Sequence, residues 1–414
     1  MQLACGNMKE RASILLSVDR VSPVCFANFV ATNAIFLVAI TGEKDLKNHW
    51  LLAVGLMLFA YPLSSVPEPA PAASRSRVLT YYIAAEEVNW AYQPAGKSLT
   101  GTPSPFTDDD NPSQPMKVKP YLKAVYREYT DATFQTRKPV APEWEHLGIL
   151  GPLIRAEVGD VVKVVFKNST KIFCSMHPHG LAYDKASEGA LYNDGKSAEE
   201  KRGDAVRPGQ TYTYTWNVPE RAGPGPGDPS SILWMYHSHF IESRDMNSGL
   251  FGPIIVTAKG KSKLDGSPKD VDREFIVAFA VFDESGSAYF KQNAMTHGRF
   301  LPGMTITDPN LRRFYLMYTL NGLVDGNMPM LTMKKGERVR WYLLANSNED
   351  DVHTAHWHGQ TATMMGMRTD TIHIGPMMMV VADMVPDAVG QWLFHCHVND
   401  HMNGGMQTLF TVIP

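Results

Sequence analysis

Trp392-Leu-Phe-His-Cys-His-Val-Asn-Asp-His-Met-Asn-Gly-Gly-Met406, close to the C-terminal end, decides the fold, because it reads as a strand running into metal ligands and has an echo earlier in the chain. Trp392 to Val398 is apolar and aromatic, as a buried β-strand is, and a strand sends successive side chains to opposite faces. In His395-Cys396-His397 the imidazoles therefore point one way and the thiol the other, so the triplet can join two different metal sites. His401 and Met406 arrive from the following loop, giving five candidate ligands within twelve residues. Cys, His and a weakly bound Met are the donors of a blue-copper site. A lone buried Cys or Met is ordinarily core packing, but five donors at this spacing exceed what packing requires.

The echo is Trp234-Met-Tyr-His-Ser-His239. Upstream of each copy the correspondence continues. Gly151 to Asp160, a Val-rich strand, Asn168 and His177-Pro-His-Gly180 answer to Met328 to Glu337, a second strand, Asn346 and His356-Trp-His-Gly359. Between them run short Val/Ile/Thr/Tyr/Phe segments punctuated by Gly, Pro and Asp/Asn, such as Val161 to Phe166, Thr211 to Trp216 and Gly252 to Val256. The expected fold is all-β, two β-sandwich domains in tandem, with 78–259 as domain 1, a polar linker at 260–272 and domain 2 at 273–414. The copies differ at the blue-copper positions. His353, Cys396, His401 and Met406 in the second copy face Cys174, Ser238, Ser243 and Ser248 in the first, so only domain 2 can hold that site.

Both copies keep two His-x-His pairs: His177/His179 and His237/His239, then His356/His358 and His395/His397. Each pair sits on one strand face with its Cα atoms roughly 6.5 to 7 Å apart, a spacing that straddles neighbouring ions. Eight imidazoles suit three coppers; zinc sites use three or four ligands each.

The chain has 414 residues, a net charge of -3 and no basic run, which argues against a nucleic-acid partner. Of its 14 histidines, His49, His146, His297 and His373 fall outside the motifs. In residues 1–77, Lys44 and Lys47, an apolar run from Trp50 to Val66 and the small residues Ala70-Pro-Ala72 follow the order of an export signal; a membrane-proximal tether is the alternative. Removal of that leader, with Cys5 and Cys25, leaves Cys174 and Cys396. If Cys396 binds metal, no intrachain disulfide can form.

The four motifs, in this order, resemble those of the multicopper oxidases, and Tyr81 to Trp90, Ser187 to Asp194 and His395-Cys-His-Val-Asn-Asp-His401 resemble the ceruloplasmin/hephaestin branch. The resemblance covers roughly 78–414. It implies cupredoxin-like Greek-key domains and four copper ions per chain. Carried over by residue, His353, Cys396, His401 and Met406 hold the type 1 copper, and His177 and His356 the type 2 copper. His179, His237 and His397 hold one type 3 copper; His239, His358 and His395 hold the other. Electrons taken singly at the type 1 site pass along the Cys396 backbone to the cluster, where O2 is reduced to water. Asp184, Glu188 and Asp194 are candidates for supplying protons.

The reductant is less directly written. The branch's iron-binding Glu and His positions read Arg313 and Tyr318, while Asp400 matches a third. A cation is unsuited to holding Fe(II), so a laccase-like phenolic substrate with Asp400 as proton acceptor is expected, with Fe(II) or Cu(I) oxidation as alternatives. Cu(I) is suggested by Met364, Met365, Met367 and Met377-Met-Met379, although such methionines are more often core. A copper nitrite reductase or an electron carrier is the reading of another class; neither needs eight paired imidazoles. Each domain brings four imidazoles, so the cluster needs a first and a second domain face to face. By resemblance to a six-domain ring, a homotrimer with clusters at its subunit interfaces is expected.

Overall fold

The computed structural model describes residues 76–102, 117–297, 313–346 and 352–414, so the leader lies outside the described residues. The strands come in two sets with one strand order. In the first set, β2 (Tyr121–Tyr129), β1 (Val78–Trp90), β4 (Val161–Asn168) and β6 (Thr211–Asn217) make one sheet in that order. The sheet that completes the set is β3 (Ile154–Glu157), β8 (Phe251–Thr257), β7 (Ser231–His237) and β5 (His177–Pro178).

After residue 272 the same order recurs. The first sheet is β10 (Leu316–Leu320), β9 (Arg273–Asp283), β12 (Val339–Asn346) and β17 (Met379–Met384), extended by the hairpin β14 (Ala362–Met364) and β15 (Met367–Thr369). The second is β11 (Leu331–Lys334), β19 (Gln407–Ile413), β18 (Gly390–Cys396), β13 (His353–Trp357) and β16 (Thr371–Ile374). Parallel pairs fall at matching places, β1 with β4 and β9 with β12, β3 with β8 and β11 with β19. These non-consecutive neighbours are the signature of Greek-key sandwiches, so the all-β tandem fold stands.

The halves are not beads on a string. Along β9, Phe275, Val277, Phe279 and Val281 enter the core of the second sandwich. The alternate residues Ile276, Ala278, Ala280 and Phe282 enter a separate core with Ile149, Leu233, Phe251 and Ile255 of the first half. A strand with period-two side chains that is apolar at every position must be covered on both faces, which is why Phe275 to Phe282 reads as an unbroken apolar run. Arg155 bridges to Glu274 through both nitrogens, at 3.2 and 2.7 Å, and adds a polar fastening to this layer.

His146, unassigned in the sequence, belongs to this junction. Its Nδ1 bonds the Glu143 carbonyl at 2.8 Å and its Nε2 accepts the Ile276 N–H at 3.2 Å. Burial pushes its pKa down to about 4, only partly opposed by the Glu143 bond. The folded value lies below the unfolded one, so the stability present above pH 6.5 is lost as pH falls towards 4, by about 3 kcal/mol in all. A His146→Gln variant is expected to lose this share of the pH dependence, read from unfolding midpoints between pH 7 and 4. Parallel curves for the two proteins would contradict it.

Among the described residues no helix is long and apolar enough to cross a membrane. One local expectation is corrected. The segment after Cys396 is not all loop but carries a helical turn, Asn399–Asn403, that reels the chain back so that His401 returns beside Cys396.

Candidate metal centres

The thiolate site forms where two neighbouring strands end together. His353 opens β13 and Cys396 closes β18, and these strands pair with Ala355 opposite Cys396. Cys396 Sγ lies 3.9 Å from His353 Nδ1 and 3.7 Å from His401 Nδ1, with the two nitrogens 3.1 Å apart. All three residues are buried. Met406, wholly buried in the same core, accepts the Cys396 N–H at 3.0 Å through its carbonyl. The Thr354 N–H donates to Cys396 Sγ at 3.5 Å, a bond that steadies a thiolate. One soft sulfur and two imidazole nitrogens around a common point, in dry surroundings, fit copper.

The remaining imidazoles form two quartets. In the first half, β5 and β7 pair His177 with His237; His179 Nε2 stands 3.0 Å from His237 Nε2, and the His177 and His239 rings are 5.1 Å apart. In the second half, His356 pairs with His395; His358 Nε2 stands 3.1 Å from His395 Nε2, and the His356 and His397 rings are 5.3 Å apart. The Nδ1 atoms of His177, His237, His356 and His395 bond the carbonyls of Glu188, Ser238, Asp370 and Cys396. A ring that donates from Nδ1 carries its lone pair on Nε2, ready to ligate. Burial, followed by neighbouring imidazoles, pushes His179 down to about 4. Burial does the same for His395, against its bond to Cys396. Neutral imidazoles at physiological pH are what a metal requires. Among the described residues no ring contact or hydrogen bond joins one quartet to the other.

In the first half the thiolate site is replaced by a hydrogen-bonded network. Ser238 Oγ donates to Asp245 at 2.7 Å, Arg244 holds the other carboxylate oxygen through two bonds, and Ser248 Oγ donates to the Arg244 carbonyl. Cys174 is buried and free.

The acidic candidates take varied places. Asp184 caps the turn Lys185–Ser187, accepting the Ser187 N–H at 2.9 Å. The Glu188 carboxylate pairs with Lys185 and Tyr192, while its carbonyl touches His177. Asp194 is held between Lys201 and Lys185, which keep its carboxyl well below the usual range. Asp400 is exposed in the turn that carries His401. Tyr318 packs against His401 with ring centroids 5.1 Å apart.

A strap from the first half, which no motif announces, holds the His401–Met406 loop. Trp90 Nε1 donates to the Gly322 carbonyl at 2.7 Å, and the Leu99 N–H to the Asp325 carbonyl at 2.8 Å. Asp325 in turn donates its N–H to the Gly405 carbonyl at 2.8 Å. Its carboxylate accepts from Gln93 at 2.9 Å and from the wholly buried Lys117 at 3.3 Å. Gly405 has φ 115°, and a Cβ there would meet Val324 at 2.9 Å, so only glycine lets the loop lie this close. Lys117→Met is expected to cost about 3 kcal/mol, because it leaves a buried carboxylate without its counter-charge. The copper-loaded variant should also show a shifted blue absorption band. An unmoved band would mean that the loop holds its shape without the strap.

Comparison with known proteins adds to this geometry. Residues 147–261 and 303–414 each match a profile of the multicopper oxidase family. Hephaestin of Rattus norvegicus is 39% identical over 374 residues, 88% of this chain and 31% of that protein. Ferroxidase HEPHL1 of Homo sapiens is 39% identical over 340 residues, 80% and 29% respectively. Ceruloplasmin of Rattus norvegicus is 38% identical over 354 residues, 84% and 33%. The chain thus spans about a third of the length of these relatives. Among solved structures, a multicopper oxidase aligns with TM-score 0.51 at 18% identity, covering 82% of this chain and 93% of that one. A copper nitrite reductase from Nitrosomonas europaea aligns with TM-score 0.52 at 17% identity, covering 81% and 94%. These two likenesses are of fold.

Proposed function

The chain belongs to the multicopper oxidase family, and from that premise we propose that it couples the oxidation of a metal ion, Fe(II) first, to the reduction of O2 to water. The observation that carries this is the placement of His395 and His397 in one imidazole quartet while Cys396, between them, joins His353 and His401. Copper bound at these donors supplies single-electron acceptance at the thiolate and O2 reduction among the imidazoles. The protein's part is to hold the donors ready. Carbonyls fix ring tautomers in both quartets, burial keeps imidazoles neutral, and Thr354 with the strap-held loop sets the thiolate surroundings. We assign one type 1, one type 2 and two type 3 coppers per chain, with the residues divided as the resemblance implies.

The reductant departs from the expected phenol. Relatives at 39% identity are named ferroxidase, which favours a metal ion over a phenol despite Arg313 and Tyr318. Asp400, exposed beside His401, is the hard ligand left for Fe(II). Steady-state oxidation of Fe(II) and of a simple phenol by the copper-loaded protein tests this. A kcat/KM for Fe(II) at least about tenfold above the phenol's is expected; a preference for the phenol would return the laccase-like reading.

Each quartet offers half the imidazoles of the cluster, so assembly belongs to the proposal. A homotrimer, in which the second half of each chain meets the first half of the next, completes three clusters. The first quartet is rimmed by apolar surface that suits such a contact: Phe173 and Phe240 stack at 5.5 Å, and Phe173, Ile241 and Leu191 are exposed. Export, as the leader's pattern suggests, completes the reading.

A further inference from the structure

Strand β2 runs off the end of the core that joins the halves. Tyr121 and Val125 point into that core while Ala124 and Tyr126 point into the first sandwich, so alternation puts Arg127 on the junction face. Where an apolar residue would continue the core, the strand brings a guanidinium, and the layer opens into a cavity of about 670 Å³. Pro139, Val140, Trp144 and Leu153 line it together with Arg127 and Arg155. Among the described residues no histidine or cysteine lines it, so it is separate from the copper donors.

Arg127 spends one nitrogen on the backbone and leaves the rest of its fork open. Nη1 donates to the Tyr126 carbonyl at 3.0 Å and to the Leu150 carbonyl at 3.4 Å. Among the described residues Nε and Nη2 bond nothing, and neither is sealed from solvent, so both are open to the cavity. That pair of nitrogens is the edge with which other arginines of the chain take carboxylates. Arg77 closes it on Asp160, Arg338 on Asp272 and Arg340 on Asp383, at 2.7 to 3.1 Å. The acids around Arg127 are committed elsewhere: Glu86 to Arg137, Glu128 to Lys138, Glu274 to Arg155 and Asp265 to Ser267. Glu145 is exposed and forms no ion pair with it. Burial, with Arg137 adding to it, pushes the Arg127 pKa down, the mark of a cation that lacks a close counter-charge. The remaining wall is apolar and flat. Trp144, half-buried, carries the Arg155 guanidinium 5.2 Å from its ring centre, and Val140 stands exposed.

We propose that this cavity binds a small aromatic carboxylate, with its two oxygens across Nε and Nη2 of Arg127 and its ring against Trp144. A carboxylate matches a two-donor fork; a phosphate spreads its charge over more oxygens and needs more donors than this one fork offers. A planar ring covers apolar wall that the fold leaves open. The ligand acts on the junction between the halves. Leu147 and Leu150 of the cavity wall belong to the core shared with β9, and Arg155 is bonded to Glu274 of that strand. The site stands independently of the oxidase reading, since none of its residues is a copper donor.

The probe is 2-naphthoate, titrated calorimetrically into the copper-loaded full chain. About one equivalent is expected to bind, with Kd on the order of 0.1 to 1 mM. The unfolding midpoint should rise with naphthoate concentration. Three further probes divide the recognition: 2-naphthylmethylamine keeps the ring and reverses the charge, octanoate keeps the carboxylate without a ring, and inorganic phosphate is an anion without an apolar body. Each is expected to bind at least about tenfold more weakly than naphthoate. Arg127→Gln should weaken naphthoate at least about tenfold and Trp144→Leu about fivefold, with blue absorption and copper content at native values. Undiminished binding to Arg127→Gln would put the acid on copper or elsewhere and overturn the site. Octanoate binding as tightly as naphthoate would overturn the aromatic preference, and phosphate doing so would overturn the carboxylate. Should Arg127→Gln fail to fold, Trp144→Leu and the four probes on the native chain still decide. Failure to oxidise any metal ion would sink the function proposed above and leave these titrations untouched.

Discussion

Two inactive variants, co-expressed, are expected to regain about a quarter of native oxidase activity. One variant is His177→Ala/His179→Ala, which breaks the first quartet; the other is His356→Ala/His358→Ala, which breaks the second. Each alone should fall below about 1% of native turnover, since a cluster that lacks two imidazoles cannot hold its full set of ions. The quartets are separate: their closest ring contacts lie within each half. In a ring of three chains, an intact interface needs an unaltered second half meeting an unaltered first half. Random mixing supplies that at about one interface in four. Closure of the cluster within a single chain predicts no recovery. Light scattering with copper counting on the same material checks that the recovered activity travels with the trimer.

Cys396→Ser is expected to remove the blue colour, lower the copper content by about one ion per chain and cut turnover below about 1% with every one-electron donor. A serine hydroxyl is neither ionised at neutral pH nor soft, so it cannot stand in for the thiolate. The first half shows how this fold accommodates serine at the matching position: Ser238 donates to Asp245, which Arg244 balances. Asn403 stands where a matching acid would have to be at position 396's end of the second half, so no such partner awaits the new hydroxyl. The imidazole quartets, whose rings are fixed by carbonyls of other residues as well as that of Cys396, should keep their copper. Turnover that survives with any donor would show that electrons enter by another route.

What the sequence determined by itself was whatever depends on near neighbours. Alternation along a strand puts His395 and His397 together and turns Cys396 away, and the repeat of that pattern announces two sandwiches of one design. His353 was reachable because it holds the place of Cys174 in the other copy. Tertiary structure alone decided the rest. Asp325 meets Gln93 and Lys117 across more than 200 residues of chain, and His146 meets the backbone of Ile276 across 130. No periodicity encodes such pairs, since they arise only when β9 is covered on its second face and the halves close over a shared core. The acids around Glu188 likewise read as free carboxylates in the sequence, and it is the folded loop that brings Lys185 and Lys201 onto them. Local pattern sets which side chains share a face; packing at long range sets which of them find a partner, because that depends on the approach of segments that carry no mark of one another.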